Sequence, residues 1–421
     1  MTTGSLNLRW LVWVLLFLAI FAGFQGGRYY MANRLQELGI ASAFALYAMG
    51  AWRGLFMLPR KEWQRWVISP LALIGAIMGI SSAVFAINYQ GNVLYSFFSA
   101  REFMLAFVGP GIYLLSRCGL PVQDIQRVFR AALVALMINY LYFHATMDLR
   151  DAFFSNDHTV SNLVTYDEWR GFRLKPPLFA IMVGLLAAVM LLVGQPSHLY
   201  IKLGTVAVVA VAAYIWSIVQ FRSTLATMLL AVVLYPLFLC HRNRVPLILV
   251  ATPLLLIVLP VVSLLALEHF LQADGGNVRA RAFSLAFEHI PRHVFFGAGE
   301  DSAYGQSYQD IVSPIFYPSD LGLVGTAYKY GLLGLVTYLF MHGKIWLTLW
   351  RSNLEYRARH AQHDPLLWAL LMFMTAQTFN LLLNPGLAYA QGITLGSIAL
   401  ALAALHLQPG TGANGPLCDA L

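Results

Sequence analysis

Charged residues are scarce in this sequence. Lys, Arg, Asp and Glu make up only 11% of the 421 residues, whereas a soluble domain has about 25%. Hydrophobic residues make up 59%, and apolar runs recur along the chain without a long polar half. This composition excludes an ordinary soluble enzyme and predicts a single membrane domain over residues 1–421.

Cysteine pairs and metal-binding patterns are also lacking. Cys118, Cys240 and Cys418 form no CxxC pair, so we predict neither a disulfide framework nor a zinc site. The acidic residues include no Asp-x-Asp pair, and Pro291 interrupts the helical register between His289 and His293. We therefore expect no metal and no cofactor. We find no internal repeat, so a transporter built from two similar halves gains no support.

The net charge of +8 does not indicate a nucleic-acid-binding protein. Lys and Arg occur in short groups between the apolar runs rather than in one basic stripe with interleaved aromatics. Such groups are typical of residues that flank membrane spans.

The apolar runs predict transmembrane helices. A helix needs about 20 apolar residues to cross the hydrocarbon core, where its backbone groups must satisfy one another. The sequence has about twelve such runs, which predict an all-α, polytopic membrane helical bundle with about 12 transmembrane helices. The predicted spans are 8–26, 38–58, 66–88, 101–116, 128–147, 175–195, 200–219, 223–240, 246–267, 320–342, 365–383 and 387–407. We interpret the first as an uncleaved helix rather than a signal peptide.

The basic residues orient these spans. Cytoplasmic connections carry the excess of Lys and Arg. If the N-terminus lies in the cytoplasm, every connection that is rich in Lys and Arg also lies on the cytoplasmic side. Both termini are then cytoplasmic, as are all three cysteines. The basic groups are Arg60, Lys61 and Arg65; Arg117, Arg127 and Arg130; Arg242 and Arg244; and Lys344, Arg351, Arg357 and Arg359.

Two long connections, 148–174 and 268–319, then face the periplasm, the second between spans 9 and 10. Connections of this length are usually functional or disordered. The second contains a helix-like stretch, 278–289, that ends before Pro291. In the first, Trp169 and Arg170 could contact sugars, although interfacial belts have the same composition.

Three segments on that side are candidates for chemistry. Arg222 opens a span, and such a guanidinium either snorkels to the interface or binds an anion such as a diphosphate. Arg279 and Arg281 begin a helix that leads to the turn Gly297-Ala298-Gly299, which could bring the backbone close to a phosphate group; two arginines so spaced do not share one helical face. Asp320 begins the tenth span, either as a first-turn acid favoured by the helix dipole or as a general base.

The order of these segments carries a resemblance. Arg222, Arg279 with Phe296-Gly297-Ala298-Gly299, and Asp320 followed by Gly331 and Gly334 together resemble the O-antigen polymerase and O-antigen ligase superfamily, which are GT-C-like inner-membrane glycosyltransferases. The resemblance covers residues 200–345 in detail. Many ligases and some polymerases of that family have a histidine where Asp320 stands here, so this departure counts more against a ligase than against the superfamily.

The resemblance implies polymerisation of undecaprenyl-diphosphate-linked oligosaccharide at the periplasmic face of the bacterial inner membrane. Arg222 and Arg279 would stabilise the diphosphate, and Asp320 would take the proton of the attacking hydroxyl. Further substrate contacts are expected from Arg281, Arg292, Tyr317, Lys329, Trp169 and Arg170. The partners implied are the lipid-linked substrate, membrane lipid, and a flippase and chain-length regulator of the same pathway. The alternatives are a ligase that transfers glycan to lipid A core, a lipid-linked oligosaccharide flippase, and a noncatalytic scaffold.

Overall fold

The computed structural model describes residues 3–30, 34–167, 171–194, 199–219, 222–234, 274–301, 307–381 and 386–408. These residues are mostly helical. The α-helices are α1 (Thr3–Gly23), α2 (Arg34–Met57), α3 (Arg60–Tyr89), α4 (Val93–Ser99), α5 (Val108–Arg117), α6 (Val122–Thr146), α7 (Leu149–Phe153), α8 (His158–Ser161), α9 (Leu178–Gly194), α10 (Leu199–Val219), α11 (Arg222–Leu234), α12 (Asp274–His289), α13 (Tyr308–Ile311), α14 (Gly322–His360), α15 (Pro365–Asn380) and α16 (Ala390–His406).

Helices α15 and α16 form the centre of the bundle. Most of their side chains are buried, including Leu367, Phe373 and Leu402. A helix that is apolar on all sides must be covered on all sides. Accordingly, α15 packs against α9 and α11, while α16 packs against α5 and α14.

Long apolar helices among the described residues suggest a membrane protein. Among the described residues, five segments are long and apolar enough to cross a membrane, and three shorter apolar helices accompany them. The five are Arg34–Met57, Arg60–Tyr89, Val122–Thr146, Leu199–Val219 and Pro318–His360. The count of about twelve spans stays a prediction, and the predicted span 246–267 lies outside the described residues.

Polar contacts mark one end of the bundle, which we call the Asp364 end. Arg117 Nε lies 2.9 Å from Glu62 Oε1, and Gln126 Nε2 donates to Asp364 Oδ2 over 3.1 Å. Near the two termini of the described chain, Arg9 pairs with Asp124 and Gln408 contacts Glu62. The first and last helices therefore reach the same end.

Three local features differ from the predictions. The connection 148–174 contains an antiparallel hairpin of β1 (Val164–Asp167) and β2 (Gly171–Leu174), a short addition to a fold that is otherwise helical, consistent with the predicted all-α class. The fourth predicted span is divided between a 3-10 helix, Ala100–Phe107, and α5. The tenth predicted span, 320–342, continues as α14 to His360 and is interrupted at Gly331, where φ is 65° and ψ is −167°. A search for apolar runs of span length detects none of these.

Candidate active site

Polar residues from distant parts of the chain meet at the opposite end of the bundle, which we call the Asp320 end. Arg28, between α1 and α2, lies 2.9 Å from Glu102. The neighbouring Tyr29 hydroxyl donates to the Lys175 carbonyl over 2.5 Å. Arg28 and Asp320 both act electrostatically on the Lys175 ammonium. The connection between α1 and α2, the 3-10 helix Ala100–Phe107, the end of the hairpin and the start of α14 are thus brought together by charge and hydrogen bonding.

Asp320 lies in a 3-10 turn, Pro318–Leu321, directly before α14. Pro318 and Leu321 are buried and anchor the turn, whereas Asp320 is exposed. The Tyr389 hydroxyl holds the turn from the other side by donating to the Ser319 carbonyl. The predicted base is therefore on a fixed turn and open to solvent, a position in which an ionised carboxylate can accept a proton.

Lys175 is the cation next to Asp320. Burial lowers the pKa of its ammonium, the Arg28 charge lowers it further, and the Asp320 charge opposes both. Lysine and arginine both bind phosphate oxygens. Lys175 thus adds a cation beside the predicted base, whereas the charge of Arg28 is offset by Glu102.

Arg222 is the first residue of α11. Arg173 of β2 is buried and donates from Nη1 to the Val219 carbonyl over 2.9 Å, at the last residue of α10. The hairpin therefore lies against the end of α10. Lys175, which follows the hairpin, interacts electrostatically with Asp320. Because of these contacts, Arg222 begins its helix at the Asp320 end.

Helix α12 carries the two predicted loop arginines. Its buried residues Ala282 and Ala286 belong to a cluster with Leu321 and Tyr328, so α12 packs beside the Asp320 turn. Residue 279 precedes Ala282 by one helical turn in α12, and Arg281 is exposed. The helix ends at His289, as predicted from Pro291, and Arg292 is exposed in the 3-10 turn that follows.

The turn Gly297-Ala298-Gly299 docks onto the interruption in α14. Ala298 N–H donates to the Tyr328 carbonyl over 2.7 Å, and Gly299 N–H donates to the Lys329 carbonyl over 2.9 Å. In the other direction, Leu332 N–H donates to the Val294 carbonyl over 2.7 Å. We expected this turn to approach a phosphate. It approaches the protein backbone instead, where the Ala298 and Gly299 N–H groups are used, and the Gly297 N–H donates to the His293 carbonyl.

Glycine is required on both sides of this contact. A Cβ at Gly297 would lie 2.3 Å from the Lys329 carbonyl oxygen, and one at Gly331 would lie 2.4 Å from the Phe295 carbonyl. Both glycines also have positive φ, which side chains rarely adopt. Gly297 of the Gly-x-Gly turn and Gly331 at the break in α14 therefore form one joint.

Glu300 follows this joint and binds the next residues of α14. Its carboxylate lies 2.5 Å from Lys329 Nζ and accepts a hydrogen bond of 2.5 Å from the Tyr330 hydroxyl. Asp301 lies 3.4 Å from the same ammonium. Lys329 was predicted to bind substrate. Two carboxylates already engage it, which favours a structural role for this cation.

The hairpin supports a group of aromatic rings. Phe153, Phe154, Tyr166 and Phe172 line a cavity of about 350 Å3 together with Arg150. The Tyr166 and Phe172 ring centroids are 4.7 Å apart, and Phe154 and Tyr166 are largely exposed. Trp169 and Arg170, the predicted sugar contacts, lie outside the described residues. Tyr317 is exposed beside the Asp320 turn.

Sequence reasoning missed Arg28 and Glu102. Arg28 belongs to a connection that the positive-inside rule assigns to the side poor in basic residues. A basic residue on that side is unusual, and this is the feature of the sequence that could have identified Arg28 as a site residue. Nothing in the sequence predicts its pairing with Glu102.

A search for known relatives of the chain matches no protein-family model and no curated protein.

Proposed function

We propose that this protein is a membrane glycosyltransferase that polymerises undecaprenyl-diphosphate-linked oligosaccharide units at the periplasmic face of the bacterial inner membrane. The observation that carries the proposal is that three segments lie at the Asp320 end. These are the start of α11 with Arg222, helix α12 with Arg279, and the exposed turn with Asp320. The order of these segments resembles that of polysaccharide polymerases.

The proposed reaction needs a base and cations but no redox step. The acceptor hydroxyl oxygen attacks the anomeric carbon of the donor sugar, and its proton passes to Asp320. The bond between the anomeric carbon and the diphosphate oxygen breaks, and the diphosphate leaves with the electron pair. Arg222 and Arg279 stabilise the negative charge that develops there. Attack opposite the leaving group inverts the anomeric centre, and no metal is required.

Other residues at this end have supporting roles in the proposal. Lys175 adds positive charge near the leaving diphosphate, and Arg281 and Arg292 are exposed cations of the loop that carries Arg279. The aromatic cavity of the hairpin suits the acceptor, because sugar rings stack on aromatic faces. Lys329 holds the joint rather than the substrate.

Elongation in nanodiscs tests the proposal. The purified protein receives a lipid-linked repeat unit without ATP or divalent metal, and longer lipid-linked chains are separated by gel electrophoresis. Arg222→Ala and Arg279→Ala should each lower the rate by about 100-fold or more, as for loss of one transition-state donor. Asp320→Asn should lower it by about 100-fold to 10,000-fold, the usual contribution of a general base.

Arg60→Ala is the matched control, because Arg60 is an exposed arginine at the Asp364 end. It should elongate at the wild-type rate. Wild-type rates in both Arg222→Ala and Arg279→Ala would refute their roles. Transfer to lipid A core instead of ladder formation would make the protein a ligase, and movement across the bilayer without covalent change would make it a flippase.

The aromatic cavity is tested in the same assay. Phe172→Ala and Tyr166→Ala should raise the KM for the acceptor with little change in kcat, because stacking contributes to acceptor binding in the ground state and transition state alike. An unchanged KM for the acceptor in both variants would mean that the rings do not bind the acceptor and form only an interfacial aromatic belt.

A further inference from the structure

A long apolar groove crosses the bundle between α3, α14 and α16. Its volume is about 510 Å3, and most of its lining is aliphatic or aromatic. One mouth is formed by Arg65 and Lys344, and the lining extends to Ser81 and Tyr330 at the other. Helix α3 rises about 24 Å between Arg65 and Ser81 at about 1.5 Å per residue, which is most of the roughly 30 Å hydrocarbon thickness.

Small residues keep the groove open. Gly334 of α14 and Gly396 and Ala404 of α16 lie along its walls. The lining side chains offer a lipid chain a continuous apolar surface. Such a surface accommodates a hydrocarbon chain but gives a soluble polar ligand few partners.

Two cations meet at one mouth without an acidic partner. Arg65 and Lys344 line the same opening and act on each other electrostatically. Across the described residues, neither has a carboxylate within salt-bridge distance. Two like charges held together at the edge of an apolar site favour an anion between them.

We propose that the groove binds an anionic phospholipid, with its phosphate between Arg65 and Lys344 and an acyl chain along the groove. Charge complementarity selects this occupant, because the chain-binding surface is continuous with a cationic mouth. The mouth is at the Asp364 end, so the headgroup belongs to the leaflet opposite the Asp320 end. The site is therefore separate from the proposed diphosphate site, and its existence does not depend on glycosyl transfer.

Native mass spectrometry of the full chain, titrated with phosphatidylglycerol or phosphatidylcholine in detergent, tests the headgroup contact. Each cation near a membrane surface contributes about fivefold to the binding of an anionic lipid. The double variant Arg65→Gln with Lys344→Gln should thus bind phosphatidylglycerol about thirtyfold more weakly, and phosphatidylcholine as before. The control is Arg60→Gln with Lys61→Gln, which removes the same charge from exposed residues outside the groove.

Thr337→Trp tests the chain contact, because Thr337 lines the middle of the groove. Leu339→Trp, an exposed position of the same helix outside the groove, is its control. Only Thr337→Trp should lower phosphatidylglycerol binding. Equal loss in both charge variants, or undiminished binding in Thr337→Trp, would overturn the proposal. So would preferential binding of polyprenyl phosphate that is indifferent to Arg65 and Lys344, because the groove would then hold a substrate tail.

Discussion

Glu300 connects three separate segments. Its carboxylate binds Lys329 and the Tyr330 hydroxyl, and its backbone N–H donates to the Ser81 carbonyl of α3 over 3.2 Å. The Lys329 and Glu300 side chains are only 17% and 13% exposed, so water compensates little for a lost partner. Glu300 therefore fixes the loop 274–301 to α14 and α3.

Removing the Lys329 ammonium should destabilise the protein. Lys329→Met leaves the Glu300 and Asp301 carboxylates together without their cation, which costs about 3 kcal/mol or more when such a pair is largely buried. Arg359→Gln, which breaks the exposed Arg359–Glu355 pair, should cost less than about 1 kcal/mol. Unfolding by SDS in mixed micelles measures both free energies. Equal losses in the two variants would contradict a structural role for Lys329.

The sequence identifies some residues of the site and cannot identify others. Arg222 and Asp320 stand out because each is a charged residue at the start of an apolar run, a local feature. Arg28 and Lys175 are 147 positions apart in the chain and become neighbours only through the packing of α1, α6 and the hairpin. A single sequence contains no signal for such long-range proximity.

At the scale of the element, α14 is two helical segments joined at Gly331. The interruption exposes backbone groups that a continuous helix would satisfy internally. The Val294 and Phe295 carbonyls accept from the Leu332 and Leu333 N–H groups, which compensates for the break. In an apolar surrounding, an unsatisfied backbone group would cost several kcal/mol, so the loop and the break depend on each other.

Gly331→Ala should therefore disrupt this joint. The new Cβ would lie 2.4 Å from the Phe295 carbonyl at a φ of 65°, and such a backbone conformation alone costs about 1 to 3 kcal/mol for a non-glycine residue. Gly343→Ala in the same helix is the control, because a Cβ there meets nothing within 4 Å. It should be neutral or stabilise by up to about 1 kcal/mol through helix propensity. Limited proteolysis of the loop 274–301 and SDS unfolding report the difference, and a harmless Gly331→Ala would show that the joint is not essential.

The same element shows why the glycine pattern was misinterpreted. Gly297 and Gly299 indicate a close approach of the backbone, and this inference is confirmed. The local sequence does not tell which group the turn approaches. In the structure that group is the α14 backbone. The sequence does not predict the hairpin either, since each of its strands has only four residues and their pairing depends on the packing around them.

At the scale of the whole molecule, the bundle has two chemically different ends. The Asp364 end contains the connections that the positive-inside rule assigns to the cytoplasm, with Arg117, Arg127 and Arg359. The Asp320 end contains the hairpin and the candidate site. The shared end of the first and last helices agrees with the predicted even number of crossings, although the individual spans between 235 and 273 lie outside the described residues.

Cysteine labelling tests which end faces the periplasm. In a variant without its three native cysteines, Asn156→Cys reports the Asp320 end and Gln362→Cys the Asp364 end, and both positions are exposed. The basic connections predict that a membrane-impermeant maleimide labels Asn156→Cys in intact spheroplasts, and labels Gln362→Cys only after permeabilisation. The reverse pattern would turn the candidate site toward the cytoplasm, where a reaction on exported lipid-linked units cannot occur. Labelling of both positions in intact cells would mean that the ends do not lie on opposite sides, and the assignment of the helices as a spanning bundle would fail with it.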